Sequence, residues 1–163
     1  MLPKPSANKS LIVAGVLCVL SLVAMLLALT LGQQQILEEF TPPPFDTNAC
    51  AGVPDMSVAV SWKEFDAEIF RVFVCGEIKP IGNIADIWLT NPVNNTVWMK
   101  MRILDMDGNI LGETGLIMPG EYIREIHLNK VPEAGTPIVL KIMTYEPETY
   151  HSAGSISINT AIY

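Results

Sequence analysis

Hydrophobic and polar positions form two different patterns along the chain, and the first is a continuous apolar run. From Leu11 to Leu31 the sequence reads LIVAGVLCVLSLVAMLLALTL, with no charged residue. A helix rises about 1.5 Å per residue, so this run spans roughly 30 Å, the thickness of the hydrocarbon core of a bilayer. The pattern predicts one transmembrane helix over residues 11–31, in contact with membrane lipid and preceded by a short head over residues 1–10.

The second pattern begins after Pro54, where apolar and polar residues alternate with a period of two. In residues 96–104, for example, Val97, Met99, Met101 and Ile103 alternate with more polar neighbours, as in a strand with one buried face. Turn-forming pairs such as Pro119-Gly120 separate successive runs. Within the segment SWKEFDAEIF, one helical turn is also compatible with the pattern. The predicted strands are residues 56–62, 68–78, 83–91, 96–104, 109–117, 121–128, 136–145 and 154–163.

Seven or eight short strands in one stretch, separated by turns, are typical of an antiparallel sandwich. We therefore expect an all-β, immunoglobulin-like β-sandwich over residues 55–163, with a small barrel as the architectural alternative. Trp62, Trp88 and Trp98 are expected to supply apolar area between its two sheets. Between the anchor and this domain, Pro42-Pro43-Pro44 favours an extended segment, which predicts a Pro-rich stalk over residues 32–54.

The distribution of charge predicts the orientation. Lys4 and Lys9 precede the apolar run, and all 17 acidic residues follow it. The positive-inside rule then places the head in the cytoplasm and the C-terminal domain outside a single-pass cell-membrane protein. The alternative is secretion after cleavage of a signal peptide, for which Thr30-Leu31-Gly32 offers a passable site but the run is longer than usual. The acidic exterior also argues against a nucleic-acid partner.

The stretch DMDGN, which starts at Asp105, admits two interpretations. A calcium loop of the EF-hand type needs glycine at its sixth position and glutamate at its twelfth, where this chain has Ile110 and Leu116. Asp107-Gly108 between two apolar runs instead suits a tight hairpin, because glycine accepts a positive φ. We predict a hairpin there.

The chain also contains cysteines, histidines and methionines, the residue types that form disulfides or bind metals. Cys50 and Cys75 lie outside the apolar run, where either a disulfide or two buried thiols is possible. His127 alternates with apolar neighbours, as on a strand surface, and His151 lies in a polar loop without a fixed metal-ligand spacing. The external methionines are expected to fill the core rather than bind copper. We predict no catalytic residue, no metal and no cofactor.

Residues 89–145 carry a series of turns and strands with a recognisable order. An N-P-x-x-N turn at 91–95 is followed by the Asp107-Gly108 hairpin, an L-I-x-P-G motif at 116–120 and an Ala134-Gly135 turn. In this order the segment resembles small exported or membrane-anchored proteins of Gram-positive, Firmicute-type bacteria. The resemblance implies an immunoglobulin-like surface domain and no particular activity.

These observations predict a membrane-anchored cell-surface module that binds a protein or glycan partner or serves as a structural spacer. The alternative is an accessory subunit of a membrane-embedded secretion, conjugation or pilus assembly, and an enzyme or metal carrier is disfavoured. Sandwich domains bind through end loops or edge strands. The candidate binding residues lie in two loops: Asn91, Asn94 and Asn95 in the first, and Glu146, Glu148, Tyr150 and His151 in the second.

Overall fold

The computed structural model describes residues 7–32, 40–55 and 61–163. The chain divides into two compact units, Met1–Thr41 and Pro42–Tyr163. Within the described residues there are one helix and ten strands. Most of the predicted head, the stalk residues 33–39 and most of the predicted strand 56–62 lie outside the described residues.

Helix α1, Ala7–Gly32, contains the whole predicted span. Its segment Leu11–Ala28 is long and apolar enough to cross a membrane, a criterion that a signal sequence also meets. The side chains of this segment are exposed, and a helix that is apolar on every side finds a compatible surrounding in lipid. Ser21 Oγ donates a hydrogen bond to the carbonyl of Cys18 at 2.8 Å, which satisfies the hydroxyl within the helix.

The second unit consists of two antiparallel sheets. Its strands are β1 Cys50–Ala51, β2 Trp62–Ala67, β3 Phe70–Cys75, β4 Pro80–Ile81, β5 Ile84–Asn91, β6 Trp98–Leu104, β7 Ile110–Glu113, β8 Glu121–His127, β9 Pro137–Tyr145 and β10 Ser152–Ala161. One sheet has the order β1-β8-β5-β3-β2, with β4 on β5, and the other has the order β10-β9-β6-β7. The predicted β-sandwich preceded by one apolar helix is therefore confirmed.

The core lies between the sheets and is mainly aliphatic. Period-two alternation explains its composition, since every second side chain of a strand points to the same face. The four-stranded sheet contributes Met99, Met101, Ile103, Ile138, Leu140 and Ile142, and the six-stranded sheet contributes Val72, Val74, Ala85, Ile87, Leu89, Ile123 and Ile126.

The predicted role of the tryptophans in the core is wrong. Trp62 and Trp98 are half-buried, and Trp88, although buried, does not belong to the core cluster. Their places between the sheets are taken by branched aliphatic side chains, and the indoles lie on outer faces against other aromatic rings.

Residues 62–67 form strand β2 and not a helical turn. Phe65 and Ala67 pack against the core, and Glu64 and Asp66 are exposed. Alternation of this kind fixes the register of β2 against β3, from Trp62 opposite Cys75 to Ala67 opposite Phe70.

The second half of the predicted stalk is part of the sandwich. The N–H of Leu116 donates to the carbonyl of Pro44, and the N–H of Asp46 donates to the carbonyl of Leu116, both at 2.9 Å. A Cβ at Gly115 would lie 2.5 Å from the Asp46 nitrogen, so only glycine permits this approach. Strand β1 then pairs Cys50 with Tyr122. The compact unit begins at Pro42, earlier than the predicted boundary.

The Cys50–Cys75 disulfide is not formed. The order β1-β8-β5-β3 places two strands between the two cysteines, and three steps of about 4.8 Å give a separation of roughly 14 Å. A disulfide requires Cα atoms within about 7 Å. Cys50 is an exposed thiol and Cys75 is a buried one.

The Asp105–Asn109 segment is a hairpin between β6 and β7, as predicted. The carboxylate of Asp105 accepts hydrogen bonds from the N–H groups of Asp107 and Asn109 and from the Asn109 side chain. These bonds, led by that of the Asn109 side chain, hold the pKa of Asp105 below its usual value. Met106 at the tip and Met118 further along the chain are 66% and 43% exposed, so the predicted core role of the methionines does not extend to these two.

Candidate functional site

The two predicted binding loops leave the sandwich at the same end. Trp98, the first residue of β6, pairs with Tyr145, the last residue of β9. Loop 92–97, which leads into β6, and loop 146–151, which follows β9, therefore lie at the same end of the sheet. The β2–β3 hairpin reaches this end as well, because a Cβ at Gly154 would meet the Ile69 side chain at 2.9 Å. The fold thus groups both predicted loops with a hairpin that was not predicted to contribute.

Asn95 fastens the first loop to β3. Its Oδ1 accepts a hydrogen bond from the N–H of Arg71 at 3.0 Å, and its Nδ2 donates to the carbonyl of Arg71 at 2.6 Å. The side-chain amide therefore takes the place that a neighbouring backbone takes in a sheet. Its Nδ2 also donates to Asn91 Oδ1 at 2.7 Å, which links the two asparagines.

Asn91 is fully buried and connects this loop to the other sheet. Its Nδ2 donates to the carbonyls of Val97 at 2.9 Å and Ile117 at 3.2 Å, and Ile117 bridges Met99 of β6. An amide with these bonds and no exposure is not presented to a ligand. Asn91 therefore serves the fold, and Asn94 is the asparagine of this loop that is exposed.

The second loop, 146–151, is held by bonds within itself. The N–H of Glu146 donates to the carbonyl of His151 at 2.8 Å, and the N–H of Tyr150 donates to the carbonyl of Glu146 at 3.0 Å. Glu148 and Tyr150 have positive φ values of 67° and 58°, and the Tyr150 ring meets Trp98 edge-on with centroids 5.1 Å apart. Ring packing and internal bonds give this loop a defined conformation.

The histidine of this loop lies beside a carboxylate. His151 Nδ1 is 3.8 Å from Glu146 Oε2, and Glu148 is exposed. In the described parts of the chain, no group of three or more His, Cys, Asp or Glu residues is arranged to hold a metal ion. The loop presents exposed polar side chains, among them Glu146, Glu148 and His151.

A recess of about 700 Å³, here called the trough, lies between the β2–β3 hairpin and the first loop. The outer face of β2 and β3 forms its floor, and the loop forms one wall. Its lining combines carboxylates, one guanidinium, amides and aromatic rings: Glu64, Asp66, Ala67, Glu68, Ile69, Phe70, Arg71, Phe73, Pro92, Asn94 and Asn95.

Arg71 is the central charged group of the trough. Its guanidinium is 3.7 Å from Glu64 Oε1 and 3.8 Å from Asp66 Oδ2, and all three side chains are well exposed. Exposed ion pairs of this length contribute little to stability, so these groups can exchange partners at low cost. Beside them, the ring of Phe73 stacks on Trp62 with centroids 4.3 Å apart.

A second aromatic group lies on the same outer face, further along the sheet. A β-bulge between Asp86 and Leu89 gives Trp88 a φ of 49°, and its carbonyl accepts a bond from Trp62 Nε1 at 3.0 Å. The Trp88 ring lies near Tyr122, and the Arg124 guanidinium lies 5.2 Å from its centroid. Backbone strain at a bulky residue is tolerated where the surroundings fix it, as these contacts do.

Cys75 is not an activated nucleophile. Burial raises its pKa to about 11, and the charges of Asp86 and Glu77 add to the effect. A reactive cysteine needs the opposite shift, toward the thiolate.

The sequence did not predict the trough, because its residues belong to separate segments and the pairing of those segments cannot be read from local patterns. Glu64 and Asp66 lie in the segment that also fitted a helical turn, and Arg71 and Phe73 lie in the next predicted strand. Only the register of β2 against β3, with Glu64 opposite Phe73, brings them to one face. Alternation in residues 62–67 was the available signal.

Comparison with protein-family models and with curated proteins gave no match. The functional argument therefore starts from the geometry of the trough and its loops.

Proposed function

We propose that the protein is a membrane-anchored module of the cell surface that binds a protein or glycan partner at the trough. The observation that carries this proposal is the trough itself. Binding sites commonly measure roughly 300–1,000 Å³ and combine apolar surface with a few polar groups, and a recess of about 700 Å³ with Arg71, Asn94 and Phe73 in its lining has this character.

The chemistry of the lining favours recognition through many modest contacts. Arg71 offers donors, Glu64 and Asp66 offer acceptors, and Phe73 offers an apolar face. A sugar ring presents hydroxyl groups and an apolar face, and a peptide segment presents amides and side chains, so both classes fit this combination. The acidic residues of the trough outnumber its single arginine, which favours a neutral or basic partner.

The anchor in this proposal is α1, with the head in the cytoplasm and the sandwich outside. Lys4 and Lys9 before the apolar run and the acidic residues after it support this orientation. The sandwich is of the immunoglobulin-like class, and the resemblance of residues 89–145 to exported proteins of Gram-positive bacteria supports an extracellular location.

Site-specific photo-crosslinking of the full chain in its native membrane tests the proposal. A photoreactive amino acid replaces Ile69 at the trough or, in the matched control, Met106 at the opposite hairpin. Both side chains are exposed to similar extents, 61% and 66%. We expect a defined protein or polysaccharide adduct at position 69 that is absent at position 106.

Arg71→Ala then tests whether the adduct depends on the chemistry of the trough. The bonds from Arg71 to Asn95 use backbone atoms, so the substitution leaves the loop attached. We expect the adduct at position 69 to be reduced several-fold. Equal adducts at positions 69 and 106, or none at either, would support a spacer without a binding site.

A further inference from the structure

The edge strands of the two sheets differ in their protection against pairing with another chain. β2 carries Lys63, Glu64 and Asp66, and β1 has 2 residues. β10 is an edge strand of 10 residues, SAGSISINTA, without a charge or a proline. Open ladders of N–H and C=O groups recruit other strands, and charges, prolines or short lengths normally prevent this. β10 has none of these devices.

The backbone of β10 shows which residues face the open edge. The N–H of Ile162 donates to Thr136, which continues the ladder with β9, and the N–H of Tyr163 donates to Ile78 on the other side. Backbone direction alternates along a strand, and the register with β9 is regular from Gly154 to Ala161. Ser155, Ser157 and Asn159 therefore direct their N–H and C=O groups away from β9.

Within the described residues, the two ends of this edge contact the other sheet, and the middle has no backbone partner. At one end the Ile69 side chain lies against Gly154, and at the other Thr160 Oγ1 donates to the carbonyl of Gly76 at 2.6 Å. Among the described residues, no backbone group bonds to Ser155, Ser157 or Asn159 from the open side. Relative to the described parts of the chain, the open segment is therefore 155–159.

We propose that β10 pairs antiparallel with β10 of a second copy of this chain, centred on Ser157. The segment Ser-Ile-Ser-Ile-Asn reads nearly the same in both directions about Ser157. In such a pair the two Ser157 residues exchange N–H···O=C bonds, and Ser155 of each copy does so with Asn159 of the other. Small polar side chains then meet on the outer face and isoleucines meet on the inner face, as a two-fold interface requires.

Charge does not oppose a second copy at this edge. In an acidic chain two copies repel, but the strands of the four-stranded sheet carry Lys100, Arg102 and Lys141 against one acid, Glu113. The nearest of these to the edge is Lys141, opposite Ser157. Across the pair the two Lys141 residues are separated by three strand spacings, roughly 14 Å, beyond the screening length of about 8 Å in physiological salt.

One strand pair is a small interface for a stable dimer in solution, where about 1,000 Å² or more is usual. Confinement of two anchored chains to one membrane raises their effective concentration and compensates for a small contact. This step rests on the proposed membrane anchor, whereas the pairing geometry does not.

Cysteine crosslinking of the full chain tests the register. In a background with Cys18→Ala and Cys50→Ala, Ser157→Cys places two thiols opposite each other, at the separation of about 5.5 Å found in bonded strand pairs. Ser155→Cys is the matched control, because its two copies are offset by four residues, roughly 14 Å. We expect oxidation of membranes to give a disulfide dimer with Ser157→Cys and none with Ser155→Cys alone. A mixture of Ser155→Cys and Asn159→Cys chains should give a mixed dimer.

Ser157→Pro provides a second variant that keeps the fold. The N–H that it removes faces the open edge, where proline is tolerated, so we expect unchanged thermal unfolding and loss of the mixed dimer. A Ser155→Cys dimer equal to that of Ser157→Cys, a Ser157→Cys adduct with another protein only, or no dimer in membranes would each overturn the proposal. If the chain is recovered outside the membrane fraction, the anchor fails. A Ser157→Cys dimer of the concentrated full chain then still supports the pairing, and its absence there overturns it.

Discussion

At the scale of single residues, the side-chain amide of Asn91 joins parts of the fold that are distant in sequence. It lies fully buried between the first loop and the backbone that follows β7, with bonds to Val97, Ile117 and Asn95. A buried polar group that loses a hydrogen-bond partner destabilises the fold more than an exposed one does, because no water molecule replaces the lost bond.

Asn91→Ala is therefore expected to lower the free energy of unfolding by about 2–4 kcal/mol, since it removes three hydrogen bonds inside the fold: those to the carbonyls of Val97 and Ile117 and the one from Asn95 Nδ2. Urea unfolding of the detergent-solubilised full chain, followed by tryptophan fluorescence, measures the change. Asn94→Ala is the matched control, and because Asn94 is exposed we expect a change within about 0.5 kcal/mol. Equal effects of the two substitutions would contradict the structural role of Asn91.

The same residue shows where sequence reasoning ends. The Asn91-Pro92 turn could be predicted from residue type alone, and a surface loop with three asparagines suggested binding. Whether an asparagine points outward or inward depends on which backbone groups the fold brings within its reach. Here Asn91 reaches the carbonyl of Ile117 and Asn95 reaches the backbone of Arg71, both distant in sequence, and no local pattern contains that information.

At the scale of elements, β6 and β7 are joined by their hairpin and by one carboxylate. Lys100 Nζ and Arg102 Nε both lie 3.0 Å from Glu113 Oε2, and the Lys100 side chain is only 8% exposed. Burial raises the pKa of Glu113, but the bonds from Lys100 and Arg102 outweigh it and hold the pKa below the ordinary value of 4.5.

The direction of this shift fixes the pH dependence of stability. Because the pKa of Glu113 is lower in the folded chain than in the unfolded one, its contribution is complete above about pH 4.5 and is lost as the pH falls through the folded pKa. Glu113→Gln is expected to lower the free energy of unfolding by about 1–2 kcal/mol at pH 7, between the values for exposed and buried pairs. The difference from the unmodified chain should shrink toward pH 3.

Urea unfolding of the full chain at pH 7, 5 and 3 measures this dependence. Glu125→Gln is the matched control, since Glu125 pairs with Arg124 at 3.3 Å but both side chains are substantially exposed. We expect it to change stability by less than about 0.5 kcal/mol at every pH. A loss for Glu113→Gln that is the same at pH 3 and pH 7 would show that the carboxylate charge is not responsible.

The elements themselves could largely be predicted, because strands β3, β5, β6, β8, β9 and β10 follow strict alternation or short apolar runs bounded by turns. Their pairing could not. Residues 44–51 were predicted to be stalk because they follow directly from the Pro42-Pro43-Pro44 run and lack alternation, yet they join the sandwich through backbone bonds that Gly115 makes room for. Cys50 and Cys75 were plausible partners by sequence separation, and only the strand order shows that two strands separate them.

At the scale of the whole molecule, the two sheets of the sandwich differ in charge. The strands of the six-stranded sheet carry Glu64, Asp66, Asp86, Glu121 and Glu125 against three basic residues, and those of the four-stranded sheet carry three basic residues against Glu113. The proposed trough lies on the acidic sheet and the proposed pairing edge on the basic one. The two proposed sites adjoin where Ile69, which lines the trough, lies against Gly154 at the end of the pairing segment.

The three cysteines also allow the orientation of the whole chain to be tested. A membrane-impermeant maleimide added to intact cells is expected to label Cys50, which is exposed. Cys75 is expected to stay unlabelled until the chain is unfolded, because its pKa of about 11 leaves roughly one thiol in a thousand ionised at pH 8. Cys18 lies inside the predicted span, where a water-soluble reagent does not reach it.

Ser6→Cys, in the predicted head, is the control for sidedness, and mass spectrometry of the labelled peptides is the measurement. With the head in the cytoplasm, this thiol should react only after the membrane is permeabilised, whereas Cys50 reacts in intact cells. Labelling at position 6 with protection of Cys50 would reverse the orientation, because the same reagent cannot reach both sides of a sealed membrane. Recovery of labelled Cys50 only from the medium, on a chain that lacks residues 1–32, would instead identify α1 as a cleaved signal peptide.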